Sequence, residues 1–497
     1  MSRYPPRTWL VIGLAATLAF RGWLSAAMPM TADEAYFVLW GRAPDLGFYD
    51  HPPMIGWWLA PLVALSDADW VARLPAVLAP AAVALAVRAA LLGWFERDED
   101  TASLAGLAVL LAPINLWNVL VTTDAPLLVF SVASLLVFLR AVQRDQAVLF
   151  LAAGALLGFA FLSKYFAVLL GAAYLAWAAQ ARRWNAAGLV VVGALPAALL
   201  NLYWNVNACW SNVMFNAINR HGDAGWTWTT PMLYAASLAY LAAPLLWFLW
   251  RERSRLTAAP AAHASRALLL AWLLPLAVFA LLSPVKRIGL HWLQSFLPAL
   301  VMTLALLGPR DSLLRVVRFF AFFALAHLVL AGVVAALPLA AWQETRYHAS
   351  LVFHARTATL LEALAPELRR YVLAADSYAA AAVLAYHTRR DVPVIGMGSS
   401  HARHDDILTD WRRHAGRDIL VLRRTRPDPA EYRRYFRHVE VDTLRLGGAS
   451  FYLVRGDGFD FEAYRREVLT PVRERYYRIP QFLPVGRCYF FERYFPG

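Results

Sequence analysis

The chain has 497 residues, 60% of them apolar and only 16% charged, with 20 Trp and a formal net charge of +13. Ordinary soluble proteins are about one-quarter charged, so this composition excludes a disordered chain, a nucleic-acid-binding arm and a conventional cytosolic enzyme. Two cysteines, Cys209 and Cys488, exclude a cysteine-rich scaffold or a multi-cysteine zinc site and leave their pairing open. Long apolar runs fill residues 1–338 and mixed charges fill 339–497. The fold class that follows is a polytopic α-helical membrane domain with a C-terminal soluble α/β domain.

A helix needs roughly 20 apolar residues to cross the hydrocarbon core. About eleven candidate spans lie near 8–28, 70–94, 102–121, 125–142, 147–162, 164–179, 186–204, 231–250, 267–283, 291–307 and 315–337. The first also resembles a signal peptide, with Arg3 and Arg7 before its apolar core and Ala26 and Ala27 after it. A bundle this large normally keeps its first span as an anchor. Alternating the spans gathers Arg3, Arg7, Arg97, Arg140, Arg144, Arg182 and Arg183 on one side. The same side receives Arg251, Arg253, Arg255, Arg310, Arg315 and Arg318. The positive-inside rule makes that side cytoplasmic and turns the soluble domain toward the periplasm or cell exterior.

The outer loops carry the ionisable residues that need explaining, since charge near the bilayer is costly and tends to mark a site. Thr31-Ala-Asp-Glu-Ala-Tyr-Phe-Val-Leu-Trp40 starts with a helix-capping pattern. Its adjacent carboxylates, Asp33 and Glu34, point to different sides of a helix and can serve two roles, one as a catalytic base and one holding a loop or cation. Gly47-Phe-Tyr-Asp-His-Pro-Pro-Met54 sets Asp50 and His51 on a proline-stiffened backbone suited to phosphate or metal. Thr122-Thr-Asp-Ala-Pro126 and Phe161-Leu-Ser-Lys-Tyr165 put Asp124 and Lys164 at the ends of apolar spans. The 47 basic residues include just two lysines, Lys164 and Lys286, so each stands out against a chain-wide preference for Arg. A desolvated ammonium attracts phosphate as a point charge, whereas a lysine that merely snorkels reaches for the headgroups. Arg220, His221, Lys286, Arg287 and His291 complete the substrate-binding candidates.

These motifs in order, together with His291-Trp292, resemble the bacterial family-39-type integral-membrane glycosyltransferases. That group includes relatives of protein O-mannosyltransferases and of the lipid A aminoarabinose transferase, in the glycosyltransferase C (GT-C) superfamily. Asp376-Ser-Tyr-Ala-Ala-Ala-Ala-Val-Leu-Ala-Tyr386 is similar to the opening of the family's outer domain. The resemblance implies transfer of a hexose or pentose from a polyprenyl-phosphate-sugar donor to an envelope lipid, glycan or protein. It places that transfer at the outer face of the inner membrane. It implies that Asp33 is the base or acceptor-positioning carboxylate and that Lys164 contacts donor phosphate. The aminoarabinose transferase has Glu-Lys-Pro-Pro where this chain has Asp50-His51-Pro52-Pro53. Protonated His51, Lys286 or Arg287 stand as substitutes for the missing ammonium.

The chemistry agrees with the residues themselves. Displacing a lipid phosphate from an anomeric carbon needs a base for the acceptor and cations for the leaving group. Direct displacement inverts the anomeric centre. Protein cations can serve a monophosphate without a metal. Asp50, His51 and His221 nevertheless form a candidate mixed oxygen/nitrogen site for a divalent metal.

In the soluble domain, strands are expected at Tyr371–Ala375, Pro393–Gly396, Asp418–Arg423 and Ser450–Val454. Helices are expected near 377–388, 405–415 and 460–475. Gly396-Met-Gly-Ser is too short to make a nucleotide loop. The alternative function is a transporter or flippase of a lipid-linked sugar, which would place ionisable groups along a mid-membrane pathway. The spans are nearly free of acids, and His327 is the main central exception.

Overall fold

A computed structural model describes residues 4–221, 225–254 and 263–496, with His221 and His263 described by backbone alone. Arg3 and Arg255 of the positive loops lie outside the described residues, as does the side chain of His221. The chain forms two compact units. The first comprises Met1–Met28, Ala68–Leu200 and Ala224–Ala335; the second comprises Pro29–Asp67, Asn201–Asp223 and Ala336–Gly497. The division read from sequence at 338 differs from this partition by two loop segments, 29–67 and 201–223, which join the C-terminal residues.

The first unit is helical. Among the described residues, eight helices are long and apolar enough to cross a membrane, rather than eleven. The other three expected spans are helical but short. Residues 102–121 break at Ala112-Pro113 into Glu99–Leu111 and Pro113–Trp117. Ala147–Ser163 and Ala167–Ala181 have 17 and 15 residues, separated at Lys164. At about 1.5 Å per residue, each falls short of a hydrocarbon core about 30 Å thick. Leu104, Leu135, Leu300 and Val316 are among the side chains of the buried core. Gly154 and Gly193 mark a close approach of two helices, since a Cβ at either would collide with the facing backbone.

Two buried arginines and a histidine of this unit are satisfied mostly by backbone carbonyls, several of them at helix ends. Arg21, 1% exposed in the first helix, donates to Val77 O, Leu116 O and Asn118 O at 3.1, 3.2 and 2.9 Å. Two of these acceptors lie just beyond the Ala112-Pro113 break. Arg73 donates to Ser25 O and Met28 O at 2.7 and 2.8 Å, closing the end of the first helix. His327 pairs with the Tyr240 hydroxyl at 2.6 Å and with Phe323 O at 2.8 Å, so it is a packed polar residue.

The second unit contains a four-stranded sheet of order β1-β2-β4-β3. The strands are β1 (Val372–Ala375), β2 (Ile419–Arg423), β3 (Phe436–Leu446) and β4 (Ala449–Phe459). β1 and β2 are parallel, while β4 is antiparallel to both β2 and β3. The expected strand at 393–396 is reduced to a single bridge between Ala375 and Val394. β3 was not expected; its hairpin to β4 turns at Gly447-Gly448, where both φ angles are positive, at 56° and 82°. The helix expected at 405–415 is a short turn, Asp405–Leu408, followed by a 3-10 turn, Trp411–His414. The helix expected at 460–475 contains a π-helical stretch, Arg465–Leu469.

Cys209 and Cys488 form a disulfide with Cα atoms 4.4 Å apart. The surrounding backbone is laid together as well. Cys209 N donates to Arg487 O at 3.3 Å, Gly486 N to Val206 O at 3.0 Å, and the Trp210 indole to Pro484 O at 2.8 Å. The bridge therefore joins the 201–223 segment to the C-terminal tail within one unit.

Candidate active site

In the second unit, the first-loop motif forms the helix Ala32–Arg42. Its N-terminus is a reciprocal capping box: Glu34 N donates to Thr31 Oγ1 at 3.4 Å, and Thr31 N donates to Glu34 Oε2 at 3.1 Å. Glu34 is fully buried there and holds the loop, while Asp33 is exposed. The two neighbouring carboxylates are thus separated by burial. Asp33 lies in the first turn of the helix, where the positive end of the dipole favours negative charge. Its Oδ1 accepts from the Tyr378 hydroxyl at 3.1 Å. Tyr378 opens the helix Tyr378–Thr388, which follows β1.

Asp50 is buried a short distance away in the fold of the same unit. The Tyr36 hydroxyl donates to Asp50 Oδ1 at 3.1 Å and accepts from His404 N at 3.2 Å. Burial raises the Asp50 carboxyl to about 7, against a downward pull from the Tyr36 hydrogen bond and the positive charge of Arg220. The 201–223 segment cradles this motif. Asn212 donates to Phe48 O at 2.9 Å and Asn216 to Asp50 O at 3.1 Å. Arg220 donates to Asn216 Oδ1 at 3.3 Å and stacks over Phe215 at 5.3 Å. The turn closes through Phe48 N donating to His51 O at 3.1 Å. His51 lies near Phe37 and Trp40, with ring centroids 5.9 and 6.2 Å away.

In the first unit, Lys164 Nζ donates to Asp124 Oδ1 at 2.7 Å. Their side chains are 9% and 5% exposed. His291 Nε2 stands 3.9 Å from the other oxygen of Asp124. Lys164 also sits 5.4 Å from the Phe166 ring centre, and Phe166 packs on Trp292 at 4.3 Å. Lys164 is therefore held by a carboxylate instead of extending to headgroups, and one of its three N–H donors is directed at Asp124. Lys286 and Arg287 occupy the turn after the Ala264–Leu282 span, half-buried and exposed respectively.

The structure thus groups Asp124, Lys164 and His291 in one unit, and Asp33, Asp50 and Arg220 in the other. Among the described residues, no group of three His, Cys, Asp or Glu side chains could hold a metal ion. The candidate set Asp50, His51 and His221 includes a side chain outside the described residues. Tyr36, Tyr378, Asn212, Asn216 and His404 join the site through contacts that sequence alone does not indicate. Tyr36 and Tyr378 fall within quoted motifs, so their hydroxyls were the available signal; the asparagines carry none that distinguishes them from other loop amides.

Residues 50–204 match the family described as dolichyl-phosphate-mannose-protein mannosyltransferase. A lipid A galacturonosyltransferase, RgtD of Rhizobium johnstonii, is 30% identical over 213 residues. That match covers 40% of this chain and 44% of the relative, so it spans less than half of the relative's length. Two crystal structures of ArnT from Cupriavidus metallidurans, bound to undecaprenyl phosphate and in the apo state, have TM-scores of 0.62 and 0.60. Their identities are 16% and 15%, and each comparison covers 90% of this chain and 98% of the other. The chain therefore has the fold of these ArnT structures.

Proposed function

We propose that the protein is a glycosyltransferase that moves a sugar from a polyprenyl-phosphate donor to a lipid acceptor. The observation that carries this reading is Asp33: an exposed carboxylate on a capped helix, oriented by the Tyr378 hydroxyl, while its neighbour Glu34 is buried in the cap. ArnT, crystallised with undecaprenyl phosphate, and RgtD, named as a lipid A galacturonosyltransferase, support the donor class and the lipid acceptor. The RgtD similarity favours a hexuronosyl over a pentosyl donor.

In the proposed reaction an acceptor hydroxyl gives its proton to the Asp33 carboxylate. The acceptor oxygen bonds to the anomeric carbon, and the bond from that carbon to the phosphate oxygen breaks. The electron pair leaves with polyprenyl phosphate, and the anomeric centre inverts. Lys164 acts on the phosphate as a point charge, ordered by Asp124. Arg220, Lys286 and Arg287 are further cations for substrate, and a divalent metal at Asp50, His51 and His221 is retained as a candidate addition. The Arg-rich loops favour placing this chemistry at the periplasmic face of the inner membrane.

The test is mass spectrometry of lipid-linked sugars and glycolipids in a strain lacking the protein. Accumulation of a polyprenyl-phosphate sugar with loss of a glycosylated lipid is expected. Unchanged donor and glycolipid profiles would overturn the reading.

A further inference from the structure

The helices Ala32–Arg42 and Tyr378–Thr388 run side by side in the same direction. At their beginnings, the Tyr36 and Tyr378 ring centroids are 5.8 Å apart; at their ends, Arg42 donates to Tyr386 O at 3.2 Å. Between them and the 389–409 segment lies a cavity of about 280 Å³. One wall is built of Ala381, Ala382 and Ala385, all buried, whose small side chains make the room. Leu39, Val392 and Val394 continue the apolar lining.

Two features interrupt that apolar surface. Trp40 and His404 both line the cavity, are 1% and 5% exposed, and have ring centroids 5.9 Å apart. Among the described residues, Trp40 Nε1 and His404 Nδ1 each have no hydrogen-bond partner, although a buried polar atom without one is costly. The indole can only donate, while the His404 nitrogen donates or accepts according to its tautomer. A ligand hydroxyl does both, and so satisfies the pair in either case. The second feature is the arginine end, where Arg389 and Arg390 line the cavity beside Arg42. Arg42 is committed to helix carbonyls, but Arg389 is exposed in its pair with Asp67 and Arg390 is exposed. Asp391 and Asp405 also line the cavity. Burial and the adjacent Asp406 push the Asp405 carboxyl upward, which weakens its opposition to an anion.

We propose that this cavity binds the hydroxylated acyl chain of an anionic amphiphile, its head against Arg389 and Arg390 and its hydroxyl at Trp40 and His404. The chain lies on the alanine wall, where apolar burial supplies the affinity. The same site offers a link to the carboxylates, because its wall residues Tyr36 and Tyr378 are the hydrogen-bond donors to Asp50 and Asp33.

The test uses the full chain in phosphatidylcholine nanodiscs and 3-hydroxydodecanoate carrying a terminal diazirine. After irradiation, mass spectrometry should map saturable labelling to residues 32–43, 378–394 or 402–409. Unlabelled 3-hydroxydodecanoate should compete at least fivefold better than dodecanoate. Ala382→Phe, which fills the cavity, should reduce labelling at least fivefold; Arg390→Glu, on the exposed rim, should weaken it even if the first variant does not fold. Labelling elsewhere, indifference to these substitutions, or equal competition by the two acids would overturn the proposal. The readout involves no sugar transfer, so failure of the proposed function leaves its outcome intact.

Discussion

Lys164 Nζ and Asp124 Oδ1 are 2.7 Å apart, and the pair is nearly closed to solvent. Removing one partner of such a pair leaves an uncompensated buried charge, at a cost of about 3–5 kcal/mol. Lys164→Ala is therefore expected to lower both stability and donor binding. The double variant Lys164→Met, Asp124→Leu should recover stability but leave donor binding weak. Lys164→Arg should restore part of the binding, since charge returns with a different geometry. Thermal unfolding in detergent and titration with undecaprenyl phosphate separate the two effects. Normal affinity in the double variant would remove Lys164 from phosphate recognition.

Tyr378→Phe deletes one hydroxyl and its bond to Asp33 while keeping the ring against Tyr36. An expected loss of about tenfold in kcat corresponds to about 1.4 kcal/mol of transition-state stabilisation. The acceptor KM and the melting temperature should change little. An unchanged kcat would show that Asp33 needs no positioning by this tyrosine.

The Asp50 carboxyl, raised by burial to about 7, makes folding pH-dependent. An unfolded aspartate titrates near 3.9. The folded state binds the proton more tightly, so this favourable contribution is complete below about 3.9 and is lost as pH rises toward 7. Asp50→Asn should consequently stabilise the protein more at pH 8 than at pH 4, measured as the difference in melting temperature from wild type. An equal difference at both pH values would contradict the raised value.

The Cys209–Cys488 bond joins positions separated by 279 residues. Replacing both cysteines with serine is expected to destabilise the second unit by about 2–4 kcal/mol. Chemical unfolding with and without reductant measures this, and the serine variant should be insensitive to reductant. Two alkylatable thiols in the untreated protein would rule the bridge out.

Local patterns in this chain were more legible than its tertiary pairings. Thr31 three residues before Glu34 signals the capping box, and the helix begins there. All eleven apolar stretches are helical, but Pro113 and the interruption at Lys164 shorten three of them below a full crossing. Apolar composition averages over such breaks. β3 was missed because exposed charged residues interrupt its apolar pattern, as edge strands allow: Glu440, Asp442 and Arg445 are set among Val439, Val441 and Leu444. Asp33 was readable as a candidate, yet its bond to Tyr378 spans 345 positions and depends on two distant helices meeting. The buried arginines Arg21 and Arg73 were likewise unexplained until the distant backbone carbonyls that accept their hydrogen bonds were placed.

The most direct test of the account is the rate of sugar transfer by purified Asp33→Asn protein, with polyprenyl-phosphate hexuronic acid as donor and lipid A as acceptor. The substitution preserves side-chain size and leaves the Thr31–Glu34 cap untouched. It removes the proton acceptor, a change that typically costs roughly 10²–10⁴-fold. A loss of that size with an unchanged melting temperature is expected. Wild-type turnover in well-folded Asp33→Asn protein would contradict it.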